Sequence, residues 1–298
     1  MGQAKIILLR FFACCLLVII ADQLVGVIMR YAVKNTKNGF IHNTRYILTQ
    51  SNPSIAVFGS SRATFHYNTA LMQKSIGIKA INCGCQETNI VYYYIALKTL
   101  LKYHTPQIVI VDVKVDEFND EPNADKLSLL YPLAGQIALN DTELNAISPY
   151  ENYKLLFNTY RYNNQFLELL KSLRGQADDT AQVSGFHALH SDYDIPPPDT
   201  LTYSHFSLPA FAFLKKIIEE CTRRNIRLIV CVSPTYGYVS YSRSLIETEK
   251  ICQENNIQFL NYTNNNFLPF DRSFFSDRFH LNGAGADRFT SDLIDRIK

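Results

Sequence analysis

Five short apolar segments recur along the chain, and each is followed by turn residues and a helical pattern or a loop. They occupy residues 55–58, 79–83, 107–113, 227–232 and 257–260. The helical patterns cover residues 63–76, 87–104, 207–224, 242–255 and 284–297. Near-continuous apolar runs of this length are typical of strands buried on both faces, as in a parallel sheet. Because strands that alternate with helices form βαβ units, the pattern predicts an α/β fold with a five-stranded parallel sheet.

A long insertion, residues 117–204, interrupts this alternation. Asn140 and Glu143 resemble a capping box that opens one helix. Residues 153–173 have a helical pattern, with Leu155, Leu156, Phe166, Leu169 and Leu170 as candidates for burial. Residues 175–200, which include Asp178, Asp179 and three consecutive prolines at 196–198, are predicted to be a loop. Such an insertion often forms a lid or substrate wall. An excursion that only covers the sheet is the alternative, and the sequence leaves both open.

The amino-terminal segment, residues 6–29, is almost entirely apolar and is interrupted only by Arg10, Asp22 and Gln23. Its length matches the roughly 20 residues that a membrane-spanning helix needs. A cleaved signal peptide would need small residues at a cleavage site after the apolar run. The residues found there fit such a site poorly. A buried core helix is the other alternative. We predict an uncleaved anchor at residues 1–30, a linker at 31–50, and one domain at 51–298 whose insertion, about 117–204, is mostly helical.

Charge and residue usage exclude several classes of partner. With 29 basic and 27 acidic residues, the chain has no basic stripe that would indicate nucleic-acid binding. Basic residues lie on both sides of the apolar segment, so the positive-inside rule leaves the membrane orientation open.

The five cysteines outside that segment fit small buried side chains better than a disulfide framework. The histidines are not clustered, and we predict neither a metal site nor a cofactor.

A serine turn follows the first strand segment, where the sequence reads Gly59-Ser60-Ser61. Glycine allows the chain to turn sharply, and a serine there stands at the carboxyl edge of the sheet, where open α/β folds bind their ligands. A helix that begins at this turn also directs backbone N–H groups into the same space. Because serine and glycine also fill ordinary turns, this motif indicates a site only together with a partner motif.

The partner motif is Asp277 and His280, between the last strand segment and the last helical pattern. A serine hydroxyl is a poor nucleophile unless a base takes its proton and a third group holds that base in one tautomer. The three-residue spacing lets the Asp277 carboxylate reach Nδ1 of His280, which leaves Nε2 to face Ser61. A surface ion pair or helix cap is the usual role of such a motif. Its placement at the same sheet edge as Ser61 favours a catalytic role.

These motifs resemble the blocks of the SGNH hydrolases, the GDSL-like lipases and esterases, over residues 54–298. The first block is matched by Gly59-Ser60-Ser61, the second by Asn82-Cys83-Gly84, and the last by Asp277, His280 and Leu281. Together with the apolar amino-terminal segment, the pattern is similar to a membrane-anchored, Bacteroides-type branch of that family. The resemblance implies a three-layer α/β/α sandwich. It implies Ser61 as nucleophile, His280 as base, Asp277 as the group that orients the base, and the N–H groups of Ser61 and Gly84 as oxyanion donors.

Two positions depart from the family pattern. Ser60 replaces an aspartate that is not a triad member. The third block, Gly-x-Asn-Asp, is absent after the third strand segment, and with it the asparagine that completes the oxyanion hole. Loss of one such donor typically lowers the rate on the order of 10²–10³-fold. Gln86 and Asn89 are candidates to replace it, although polar residues in such positions usually cap the next helix.

The resemblance and the apolar segment together predict a membrane-anchored serine hydrolase that acts on esters. O-acyl or O-acetyl groups of envelope carbohydrate are the expected substrate class, and the domain is expected to lie outside the cytoplasm. Two alternatives remain. One is an O-acyltransferase that acts on surface polysaccharide, and the other is a binding or scaffold protein that keeps the fold without turnover.

Overall fold

The computed structural model describes residues 2–175, 185–190, 195, 197–264, 267, 268 and 271–298, with only the backbone of residues 124 and 126. The helices are α1 Gln3–Asn35, α2 Gly39–Arg45, α3 Ser61–His66, α4 Thr69–Ile76, α5 Ile90–Tyr103, α6 Asp141–Ile147, α7 Glu151–Lys154, α8 Asn158–Tyr162, α9 Phe166–Leu173, α10 Leu208–Arg223, α11 Arg243–Glu254 and α12 Gly283–Ile297. The strands are β1 Ile55–Phe58, β2 Ala80–Asn82, β3 Ile108–Asp112, β4 Asp199–Tyr203, β5 Arg227–Val232, β6 Gly237–Ser242 and β7 Gln258–Asn261.

The main sheet has five strands in the order β2-β1-β3-β5-β7, and every neighbouring pair is parallel. Each of these strands coincides with one of the five apolar segments to within one residue at either end, so the predicted α/β fold with a five-stranded parallel sheet is confirmed. The strand order reverses between β1 and β3. Ligands of open α/β sheets bind outside the carboxyl ends of the strands at such a point.

Strands β1, β2, β3 and β5 are buried on both faces, which explains why they are almost continuously apolar, whereas the edge strand β7 is only partly buried. Alternate strand residues belong to two hydrophobic clusters. Ala56, Val109 and Leu228 pack with side chains of α5 and α10. Val57, Ile110 and Ile229 pack with side chains of α4 and α12. The sheet therefore forms a rigid support for the loops at its carboxyl edge.

Helix α1 is a single apolar helix of 33 residues, long and apolar enough to cross a membrane. Almost every side chain up to residue 21 is exposed, whereas a single face is buried from Asp22 onwards. That buried face consists of Asp22, Gly26, Met29, Ala32 and Val33. The predicted apolar helix is therefore present, and its carboxyl end is part of the folded domain.

Residues 31–50, predicted as a linker, are mostly helical and packed. They contain the end of α1, α2 and a π-helical turn, Tyr46–Gln50. Ile41 and Leu48 belong to the hydrophobic core. The Arg45 guanidinium donates to the carbonyls of Val33, at 2.6 Å, and Thr36, at 3.3 Å. Eight of the 20 positions are buried, but the many polar residues of the segment hide this packing in the sequence.

The insertion contains α6 to α9 and β4. The capping box is confirmed: Asn140 Oδ1 accepts the Glu143 N–H at 3.1 Å, and Glu143 Oε2 accepts the Asn140 N–H at 3.2 Å. The predicted helix over residues 153–173 is divided into the end of α7, α8 and α9. Leu156 and Phe166, expected to be buried, are exposed. Most of the predicted loop at 175–200, with Asp178 and Asp179, lies outside the described residues.

A second, two-stranded parallel sheet joins β4 and β6. The sequence patterns did not predict it, because both strands are largely polar and β4 is mostly exposed. The first two residues of β4 belong to the loop predicted at 175–200, and its last three lie in a part of the insertion with no predicted structure.

Candidate active site

The serine turn is formed at the end of β1, where α3 begins at Ser61. A Cβ on Gly59 would lie 2.7 Å from the Ala63 Cβ and 3.0 Å from the Asp112 Cβ. Only glycine therefore allows the first turn of α3 to pack against the end of β3. This close approach places the Ser61 side chain at the carboxyl edge of the sheet.

The structure brings the three residues predicted as catalytic, Ser61, His280 and Asp277, into one chain of hydrogen bonds. His280 Nε2 lies 2.8 Å from Ser61 Oγ, although 219 positions separate the two residues. His280 Nδ1 lies 2.8 Å from Asp277 Oδ2. Because an ionised carboxylate can only accept, the ring proton is on Nδ1, and Nε2 is left to accept the Ser61 hydroxyl. This is the arrangement that makes a serine hydroxyl nucleophilic.

The Asp277 carboxylate is held by its own turn. Its Oδ1 accepts the backbone N–H groups of Phe279, at 2.7 Å, and His280, at 2.9 Å. Partial burial raises the pKa of Asp277, but the hydrogen bond from the His280 ring and these N–H groups outweigh burial and lower that pKa overall. Asp277 is therefore ionised at neutral pH and fixes the tautomer of His280.

A second histidine, His66 at the end of α3, lies buried behind His280, with ring centroids 6.2 Å apart. Its Nε2 accepts the N–H of Leu281 at 3.0 Å, so the ring proton is on Nδ1, which lies 2.8 Å from Ser233 Oγ. Burial lowers the pKa of His66 well below its usual value, and the positive charge of Arg62 adds to this effect. Neutral His66 thus ties the loop that carries His280 to the helix that carries Ser61.

A buried ion pair lies beneath the site. Arg62 Nε lies 3.7 Å from Asp112 Oδ2 and donates to Ser233 Oγ at 3.1 Å, and its Nη2 donates to the Ser233 carbonyl. Asp112 Oδ1 accepts the Tyr67 hydroxyl at 2.6 Å and the Ser233 N–H at 2.9 Å. These contacts join the carboxyl ends of β1, β3 and β5. Sequence reasoning missed them because Arg62 and Ser233 are 171 positions apart and each looks like an ordinary turn residue.

The two predicted oxyanion donors differ in their availability. Ser61 is the first residue of α3, where a backbone N–H has no intrahelical acceptor. The Gly84 N–H instead donates to Asn82 Oδ1 at 2.9 Å. Asn82 is fully buried, and its Nδ2 donates to the carbonyls of Ala63, at 2.7 Å, and Tyr67, at 3.1 Å. Gly84 is thus held near α3, but its N–H would have to leave Asn82, or be shared, to bind an oxyanion.

The two candidates for the missing donor lie in the loop before α5. Asn89 Oδ1 accepts the Val91 N–H at 3.2 Å and so caps α5, which is the alternative role that the sequence allowed. The Gln86 side chain is exposed. Within the part of the chain that the structure describes, neither side chain donates a hydrogen bond to Ser61.

Residues 185–190 of the insertion lie beside the hydrogen-bonded chain. The His187 N–H donates to the Thr64 carbonyl at 3.0 Å, and the Leu189 carbonyl accepts the Gly283 N–H at 2.9 Å. The Phe65 ring contacts both His280 and His187 edge to face, with centroid distances of 5.3 Å and 6.1 Å. This part of the insertion therefore forms a wall of the site, one of the two roles that the sequence left open.

No group of three His, Cys, Asp or Glu side chains among the described residues is arranged to hold a metal ion. Cys83, Cys85, Cys221, Cys231 and Cys252 are buried free thiols.

The chain matches no known family model and no curated protein.

Proposed function

We propose that this protein is a membrane-anchored serine hydrolase that cleaves esters, with an SGNH-type three-layer α/β/α domain. One observation carries the proposal: Ser61, His280 and Asp277 form a continuous hydrogen-bonded chain with both distances at 2.8 Å. These three residues lie at the carboxyl edge of a parallel sheet, where α/β folds bind ligands. The clusters on the two faces of the sheet are consistent with three layers.

In the proposed reaction, Ser61 Oγ attacks the ester carbonyl carbon while its proton passes to His280 Nε2. Asp277 stabilises the resulting imidazolium. The Ser61 N–H binds the oxyanion, and the Gly84 N–H joins it when released from Asn82. His280 then protonates the alcohol oxygen as its bond to carbon breaks, which leaves an acyl group on Ser61. Water attacks this acyl-enzyme with His280 again as base, releasing the acid and restoring the serine.

The substrate class and the side of the membrane form the outer part of the proposal. Esters of envelope carbohydrate, such as O-acetyl groups, and a domain outside the cytoplasm follow from the SGNH resemblance and the apolar helix α1. Transfer of the acyl group to a sugar hydroxyl instead of water would use the same residues. The two activities are separated by whether added acceptor sugar captures the acyl group.

A non-catalytic binding protein is the second candidate, and one observation favours it. The Gly84 N–H is hydrogen-bonded to Asn82, and the sequence lacks the family's third-block asparagine. Of the two predicted oxyanion donors, this leaves the Ser61 N–H available.

Labelling with a fluorophosphonate probe tests the proposal without knowledge of the substrate. Wild-type protein should be labelled, and Ser61→Ala should not. Ser60→Ala is the matched control, because the Ser60 side chain is buried and adjacent to Ser61, and it should keep labelling. Folded wild-type protein that resists the probe would instead support the binding protein. If Ser60→Ala loses labelling and Ser61→Ala keeps it, Ser60 is the nucleophile and the assignment of Ser61 is wrong.

A further inference from the structure

Four large apolar side chains between α6 and α8 are unusually exposed. Tyr150 is 68%, Tyr153 67%, Leu156 72% and Phe157 55% exposed. Glu151 and Leu155, which lie between them in the sequence, are buried, so the four exposed side chains lie on the outward side of α7 and of the turn that follows it. We name these four residues the apolar face. Exposed apolar clusters of this kind mark surfaces that bind another protein or a membrane.

The apolar face is fixed next to α1. Asn158 follows Phe157 directly, and its backbone N–H and side-chain amide both donate to Asp22 Oδ2 at 3.0 Å. The N–H and hydroxyl of Thr159 both donate to Asp22 Oδ1 at 2.8 Å. A Cβ on Gly26 would overlap the Asn158 side chain, so glycine permits this close packing. The apolar face therefore begins at the level of Asp22 along α1.

That level lies within the apolar length of α1. On the side of α1 away from the insertion, Leu24, Val27 and Ile28 remain exposed. Residues 6–28 extend about 35 Å at 1.5 Å per residue, whereas a bilayer core is about 30 Å thick. A membrane that covers these side chains reaches past Asp22. The Asp22 carboxylate at this depth needs hydrogen-bond partners, and the start of α8 supplies four.

We infer that the apolar face is a second membrane contact, which enters the interface of the same bilayer that α1 spans. Its occupant is lipid. Tyr150 and Tyr153 have the amphipathic rings that are favoured at the headgroup level, and Leu156 and Phe157 supply apolar area below it. The inference rests on α1 as the membrane helix and is independent of catalysis.

The contact would fix the domain relative to the membrane. The segment after α1 is packed into the core, so the domain cannot swing on a loose linker. Helix α1 and the apolar face beside it would hold the domain at two neighbouring points. The candidate site beside residues 185–190 would then keep a constant height above the lipid surface.

The chain contains no tryptophan, so a single introduced tryptophan reports on one position. Full-length Leu156→Trp and Tyr153→Trp proteins are reconstituted into vesicles that contain lipids brominated on their acyl chains. Tyr241→Trp on β6 is the matched exposed control, and Leu16→Trp on α1 is the reference for a lipid-facing position. Unchanged thermal unfolding verifies that each variant is folded.

The inference predicts that bromolipid quenches the emission of Leu156→Trp, Tyr153→Trp and Leu16→Trp, and that acrylamide quenches Tyr241→Trp more strongly. Emission from Leu156→Trp and Tyr153→Trp that resembles the Tyr241→Trp control, with Leu16→Trp quenched by lipid, would overturn it and leave the face in water or against another protein. An unquenched Leu16→Trp would overturn it as well, because α1 would then lie outside the bilayer.

Discussion

The buried His66 should make the stability of the protein depend on pH in a measurable way. The native pKa of His66 is far below its usual value, because the ring is buried and lies near Arg62. In the unfolded chain, its pKa returns to about 6.5. As the pH falls from 7.5 to 5, the unfolded state therefore gains a proton that the native state cannot bind. Linkage gives a loss of about 2 kcal/mol of folding stability from this residue alone.

The substitution His66→Gln removes the titration while keeping an oxygen that can accept the Leu281 N–H. The variant should be less stable than wild type at pH 7.5, because its contact with Ser233 is altered. Since the variant escapes the acid penalty of His66, the difference in stability should narrow by about 2 kcal/mol at pH 5. For a chain of this size, that corresponds to roughly 5 °C in Tm. Circular dichroism in detergent, at both pH values, measures it.

Thr290→Val is the matched control for this experiment. The Thr290 hydroxyl is buried and donates to the His66 carbonyl at 3.1 Å, but it does not titrate. Loss of the Thr290 hydroxyl should lower Tm by the same amount at both pH values. If the stability difference between wild type and His66→Gln stays constant from pH 7.5 to 5, the claim that His66 remains neutral in the folded protein is wrong. The loop of His280 would then be held in another way.

Three further predictions address the site and its support. In Gly59→Ala, the new methyl group would meet the Ala63 Cβ at 2.7 Å, so we expect about 1–3 kcal/mol of destabilisation and slower probe labelling, measured by thermal unfolding and labelling rate. Asp277→Asn should fold normally but lower kcat on an activated ester by about 10³–10⁴-fold; an unchanged kcat would exclude its orienting role. Arg62→Met leaves the buried Asp112 carboxylate without its cation, which should cost about 3–5 kcal/mol in denaturant unfolding. Adding Asp112→Asn to that variant should recover part of the loss, and no recovery would argue against the ion pair.

The features that the sequence predicted well are those with local causes. Four of the five sheet strands, β1, β2, β3 and β5, are buried almost throughout, so their apolar runs mark them directly. The capping box at Asn140 and Glu143 lies within four residues, and so does the pairing of Asp277 with His280. The meeting of Ser61 with His280 follows from topology, because both motifs stand at the carboxyl edge of one parallel sheet.

The features that the sequence did not predict depend on distant contacts. The break between α7 and α8 coincides with the bonds from Asn158 to Asp22, 136 positions away, and no periodicity records such a bond. Likewise, His66 and Leu281 are 215 positions apart. Leu156 was expected to be buried, but it is 72% exposed, because hydrophobic spacing alone does not show which side chains reach the core.

The central claim is that Ser61 and His280 act as one catalytic unit. The most direct test measures hydrolysis of an activated ester, such as p-nitrophenyl acetate, by wild type, Ser61→Ala, His280→Ala and the double variant. Residues that act as a unit are strongly non-additive. Each single substitution should therefore reduce turnover nearly to the rate in solution, and the double variant should be little slower than either. Retained turnover in folded His280→Ala would contradict the account.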